Sequence, residues 1–222
     1  MRALVTCIAF LWTMAAPALA DETVSGSWTI DVSRNGTPRL SLHSSDAQGK
    51  HEHSDDVHLS PNVLPAGALE ASQPQHVRFA MVREAGKYAF DGQLGSGRGS
   101  GTYALTLNDR FFDDIRSRGY DTSSTDVRAA FASLDVTREY VDEMDSLGLQ
   151  TTTPLMISMR ALGVDGAYVR SLRDGNITGL TVANIIAMRA LHVDSSYIRY
   201  LRTHGIKNLT AANVIAMKAE NI

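Results

Sequence analysis

The chain has 222 residues, a formal net charge of −3 and a single cysteine, Cys7. One thiol excludes an intramolecular disulfide, and beyond the first 20 residues no apolar run is long enough to span a bilayer. Residues 21–222 are numerous enough for two small domains held by their own cores.

Residues 1–20 read as a secretory signal. Arg2 supplies the positive end, Leu4 to Met14 the apolar run, and Ala18-Leu19-Ala20 a small-x-small cleavage site. Cys7 lies inside the apolar run, which argues against a lipoprotein anchor. The expected product is periplasmic or secreted, with no transmembrane segment once the signal is removed.

Residues 21–120 read as a small antiparallel β domain with a closing helix. Trp28, Ile30 and Val32 alternate with polar residues, Asn35-Gly36 has hairpin-turn chemistry, and Leu40 and Leu42 resume the alternation. Val77, Phe79 and Met81 form a second alternating run, Ala85-Gly86 a turn, and Tyr88 and Phe90 its return. The stretch Gly95-Ser96-Gly97-Arg98-Gly99-Ser100-Gly101 is expected as a flexible hairpin connection. It lacks the Gly-Lys-Ser/Thr ending of a phosphate loop and leads into the alternating Tyr103, Leu105 and Leu107 rather than a helix. Asn108 then caps a helix through Phe111, Phe112 and Ile115 that ends at Gly119, and 120–124 is expected as a hinge.

Residues 121–222 read as helical hairpin repeats. Val164 to Arg173 is answered by Val193 to Arg202, and Leu180 to Arg189 by Leu209 to Lys218, at a constant offset of 29. Asp165 and Asp194 stand at N-caps, Asn176 and Gly205 at left-handed C-terminal positions, and Thr181 and Thr210 cap the second helices. An older copy runs from Tyr140 through Met144, Leu149 and Ile157, and residues 127–134 look like a lone second helix. Helices of about ten residues are marginal alone, so stacking has to bury their stripes. Tyr168 and Tyr197 are expected at equivalent, largely buried sites, and Asn184 and Asn213 as structural.

Groups that carry chemistry are sparse. His51-Glu52-His53, with Asp55, Asp56 and His58, is the densest set of metal-ligand types and suits zinc, copper or nickel. Its histidines lack the one-turn spacing of a zinc-protease helix, and the segment reads as a polar loop. No nucleophile motif or matched acid–base pair stands out, so no enzyme and no cofactor are expected. Charge separates the two regions. Residues 21–151 hold 12 Lys/Arg against 20 Asp/Glu, net −8, whereas 152–222 hold 8 against 4, net +4. Arg170/Arg173 and Arg199/Arg202 recur at i, i+3. One reading is helix-dipole compensation; the other is a cationic ridge for an acidic protein partner or an anionic surface.

The β segment (Val77-Arg78-Phe79, Arg83-Glu84-Ala85-Gly86, Phe90-Asp91-Gly92, Gly99-Ser100-Gly101-Thr102), then Phe111-Phe112 and Arg118-Gly119-Tyr120, is joined to repeats of the form Tyr-Ile-x-x-Leu-x-x-x-Gly-Ile. Together these resemble the extracytoplasmic C-terminal region of bacterial BlaR/MecR-type antirepressor-like membrane metallopeptidases. The protease part has no counterpart here, for there is no His-Glu-x-x-His. The resemblance therefore implies an accessory or sensing module and transfers no catalytic residue. Gly205-Ile206-Lys207 is similar to a DNA-gripping helix-hairpin-helix turn, but Lys207 stands where that turn needs glycine, and the acidic front half argues against nucleic acid.

The reading is thus an α+β chain: an N-terminal antiparallel β domain, then a C-terminal array of short helical hairpins. Its expected role is an exported, non-enzymatic binding or accessory module using Arg170, Arg173, Arg199 and Arg202. The alternative is a periplasmic metal-binding protein using His51, His53 and His58.

Overall fold

The computed structural model describes residues 23–32, 37–45, 52–57, 59 and 63–220. The proposed signal, the Asn35-Gly36 turn, His51 and His58 lie outside them. The architecture is α+β, with the sheet first and the helices after it.

Six strands form one antiparallel sheet: β1 (Thr23–Val32), β2 (Pro38–Ser45), β3 (Glu52–Val57), β4 (Gln75–Arg83), β5 (Gly86–Gly95) and β6 (Arg98–Leu107). Their order is β3-β2-β1-β6-β5-β4, two meanders joined where β1 pairs with β6. Alternation sends Trp28, Ile30, Leu40, Leu42, Val57, Phe79, Phe90, Tyr103 and Leu105 to the buried face. The opposite face exposes small and polar residues such as Ser25, Ser27, Ala80, Ala89 and Thr102.

Two expectations change here. The segment read as a polar loop is the edge strand β3, with Ser44 opposite His53 and Leu42 opposite Asp55. Nor is the glycine run a flexible connection. Its turn is only Ser96-Gly97, at φ 53° and 74°, the pair of positive φ values that a tight two-residue hairpin turn requires. Gly99 and Gly101 belong to β6, where they and Gly92 of β5 lie under the Trp28 indole. A Cβ at Gly101 would come within 2.8 Å of Trp28 Nε1 and 2.1 Å of the Asp91 carbonyl oxygen. The indole N–H donates to that same carbonyl at 3.2 Å.

Among the described residues eight nine-residue helices follow the sheet: α1 (Asp109–Ser117), α2 (Thr125–Ser133), α3 (Arg138–Ser146), α4 (Thr153–Ala161), α5 (Gly166–Asp174), α6 (Val182–Ala190), α7 (Ser195–Thr203) and α8 (Ala211–Ala219). The N-caps of the odd helices, Asn108, Thr137, Asp165 and Asp194, fall 29, 28 and 29 residues apart. Those of the even helices, Ser124, Thr152, Thr181 and Thr210, fall 28, 29 and 29 apart. The helix expected to close the β domain is therefore the first helix of the first of four hairpins. The stretch 127–134 is not a lone helix but part of its partner, α2. Nor is 120–124 a free hinge: Tyr120 and Thr122 are buried, and the Tyr120 hydroxyl donates to Asp145 at 2.7 Å.

The even helices stack on one another, α2 on α4, α4 on α6 and α6 on α8, while α2 also packs against β6 and β3. One apolar core runs unbroken from Trp28 through Phe111, Phe112 and Phe131 to Met188 and Val214. Arg83, at the end of β4, stitches sheet to array. Its side chain is 8% exposed, and the guanidinium donates to the carbonyls of Ala132, at 2.7 Å, and Ser133 at the end of α2. Burial lowers its pKa against the opposing pull of Asp135. Arg83→Met keeps the stem but removes the charged donor from both carbonyls, leaving that of Ala132 the longer bond from the Asp135 N–H. Charged hydrogen bonds contribute about 1.5–3 kcal/mol, and a loss of roughly that size is expected in denaturant unfolding.

Candidate functional site

The four arginines of the expected ridge sit on the odd helices of the third and fourth hairpins, but they do not form one free surface. Arg173 donates to the carbonyl of Leu147, the C-cap of α3, at 2.6 Å. Arg202 donates to that of Gly175, the C-cap of α5. Each thus satisfies the carbonyl end of the first helix one repeat upstream, where cations are favoured. Arg170 pairs with Glu143 at 3.2 Å. Arg199, its counterpart on α7, is exposed and has no ion-pair or hydrogen-bond partner among the described residues.

Reading along the sequence missed a second cationic row. Arg160 and Arg189, each following the repeated methionine of an even helix, donate through Nε to the carbonyls of Leu134 (3.0 Å) and Leu162 (3.1 Å). Both are C-caps one repeat upstream. The same guanidinium groups lie over Tyr140 and Tyr168, with Cζ 5.0 and 4.8 Å from the ring centroids. Lys218 repeats the contact over Tyr197 at 4.3 Å. The tyrosines complete the staple: Tyr140 and Tyr168 donate to the carbonyls of Val164 (2.8 Å) and Val193 (3.0 Å) in the next hairpin.

Tyr168 is buried as expected, but Tyr197 is only partly so. No further hairpin lies over it among the described residues, and Ile222, the counterpart of Val193, falls outside them. Asn213 and Asn184 are structural. Asn213 completes a capping box with Thr210, and Asn184 donates to the Gly179 carbonyl at 2.9 Å.

Burial pushes the phenols of Tyr120 and Tyr168 up to about 12 from 10.0, and raises Tyr140 as well. Unfolded phenols ionise near 10.0, whereas the folded ones hold their protons. The stability they contribute is therefore complete below pH 10 and is lost as pH rises from about 10 to about 12. Unfolding midpoints should fall across that window, and less steeply in Tyr168→Phe.

Two other places hold chemistry-bearing side chains. On the exposed sheet face, Asp91 accepts from Arg78 Nε at 2.6 Å and pairs with His76 at 2.9 Å. The bond from Arg78, then that from His76, holds its carboxyl below the usual range. This group borders an open trough of about 970 Å³ with Ala80, Ala89 and Thr102. Of the three histidines His51, His53 and His58, only the backbone of His53 is described, on β3 beside Glu52, Asp55 and Asp56. Among the described residues no three His, Cys, Asp or Glu side chains cluster to hold a metal ion, and no helix is long and apolar enough to cross a membrane.

The last place is a groove of about 360 Å³ between the end of α5 and the start of α7, lined by Ser171, Asp174, Ser195, Ile198, Arg199 and Arg202. The ridge arginines not bound to Glu143 or Leu147 border it. No family model, curated protein or solved structure matches the chain.

Proposed function

We propose that this chain is an exported, non-enzymatic binding module: the sheet anchors four stacked hairpins, whose odd-helix side is presented to a protein partner. The observation that carries this is Arg199. It is an exposed cation without an ion-pair partner among the described residues, at a position where the preceding repeat neutralises its own arginine, on a stacked-hairpin scaffold of the kind that builds extended binding faces. The net charge of +4 over residues 152–222 favours an acidic partner. The resemblance to sensor-type extracytoplasmic regions points the same way.

Because Arg173 and Arg202 hold helix ends, the discriminating variant leaves them alone. Immobilised protein is exposed to envelope extract and compared with Arg170→Glu/Arg199→Glu. The expected result is a retained protein that elutes as salt approaches 1 M, where the Debye length is about 3 Å, and that the variant does not retain. Retention unchanged by salt and by the double variant overturns the proposal.

A further inference from the structure

The odd helices of successive hairpins meet at three equivalent junctions, and the residue six places after each N-cap faces the next helix. In α1 that residue is Asp114, whose carboxylate accepts from Arg138 Nε at 2.9 Å. In α3 it is Glu143. One of its oxygens accepts from the Gly166 backbone N–H at 3.2 Å, and the other from Arg170 at 3.2 Å. In α5 it is Ser171, whose hydroxyl turns back to the Tyr168 carbonyl at 2.7 Å. The third junction keeps the receiving groups, with Ser195 for Gly166 and Arg199 for Arg170, but supplies no carboxylate at the giving position. The groove of about 360 Å³ lies at this junction.

We propose that the α5–α7 groove is a carboxylate site, which takes an acidic side chain of a protein partner where the preceding repeat uses its own Glu143. This rests on the reading of the chain as a binding module and names the partner's chemistry. The second junction shows that this helix start accepts a carboxylate even beside a capping aspartate: Asp165 caps α5 at 2.7 Å while Glu143 binds the same turn. Asp194 stands in Asp165's place on α7, with its Oδ1 accepting from the Ser196 hydroxyl and the Tyr197 N–H.

Two differences shape the site. A Cβ at Gly166 would lie 1.9 Å from Glu143 Oε1, so the side chain of Ser195 holds the incoming carboxylate further out, within reach of its hydroxyl and of Arg199. Asp174 at the rim, where α3 has Ser146, opposes the anion and selects for a ligand held by neighbouring contacts as well. An acidic peptide fits that requirement better than a free ion.

The test is a titration of the full chain with hexaglutamate, with free glutamate as the control, followed through the Ser195 amide and Arg199 Nε–H resonances. The expected result is saturable shifts at both groups with the peptide, at least tenfold weaker with free glutamate. Arg199→Gln should weaken binding about tenfold, in line with a lost charged hydrogen bond. Ser171→Glu/Ser195→Gly rebuilds the upstream Glu143/Gly166 pair, so it should fold, shift Arg199 without any ligand and abolish peptide binding. Shifts that map elsewhere, or binding that survives in both variants, overturn the site. Failure here with salt-sensitive retention from extract intact removes the site but leaves the binding module. Peptide binding at the groove with no retained envelope protein does the reverse.

Discussion

Trp28→Ala is expected to cost about 3–5 kcal/mol of unfolding free energy, the range for truncating a large buried aromatic. The indole is fully buried, meets Phe79 and Phe90 edge-on at 5.5 and 6.2 Å, and lies on a floor made by Gly92, Gly99 and Gly101. Alanine leaves that floor with nothing above it, since glycines supply no side chain to collapse into the void. The reciprocal change, Gly101→Ala, should cost about 3 kcal/mol, at the upper end of the usual overpacking penalty. The new methyl would meet a backbone carbonyl at 2.1 Å, and a backbone atom yields less readily than the tip of a side chain. Urea unfolding of both variants gives the two values. A loss under about 1 kcal/mol in either would mean that the indole does not occupy this glycine floor.

Tyr168→Ala is expected to cost a similar amount, about 3–5 kcal/mol, for three reasons that span its own hairpin and the next. Its ring is buried beneath the next hairpin, Arg189 stacks on it, and its hydroxyl satisfies the Val193 carbonyl. Tyr168→Phe isolates the last of these and should cost about 1 kcal/mol, the usual net value of one hydrogen bond. Tyr197→Ala should cost clearly less than Tyr168→Ala, because that ring is only partly covered. Equal losses for the two tyrosines would contradict the stacking order.

Periodicity and alternation make much of this fold legible in the sequence. The 29-residue offset, the caps at Asp165 and Asp194 and the strands around Trp28 and Phe79 are written in residue types that act locally. The first hairpin is harder to see because Phe111-Phe112-Ile115 replaces the Tyr-Val…Leu pattern, and because α1 also caps the sheet. Strand β3 is illegible for a different reason. Glu52–Val57 has one apolar residue, Val57, and is held by backbone pairing to β2 at the sheet edge. The arginines are visible by spacing, but their meaning is not. Arg173, Arg202, Arg160 and Arg189 bind carbonyls 26 or 27 residues upstream, a partner that no side-chain pattern announces. The junction carboxylates are the instructive case. Asp114, Glu143 and Ser171 occupy one repeat position, yet only the packed geometry shows that this position faces the start of the next helix.

The continuous core rests on α1 and α2 being the first repeat of the array and welding it to the sheet. Trp28 is the sole tryptophan of a chain beginning at Asp21, so its fluorescence reports the sheet, while far-ultraviolet circular dichroism is dominated by the helices. Urea unfolding followed by both signals should give coincident midpoints and a single cooperative transition, as two-state unfolding requires. Two separated midpoints, with the helices and the sheet melting independently, would contradict the continuous core and place the domain boundary after α1.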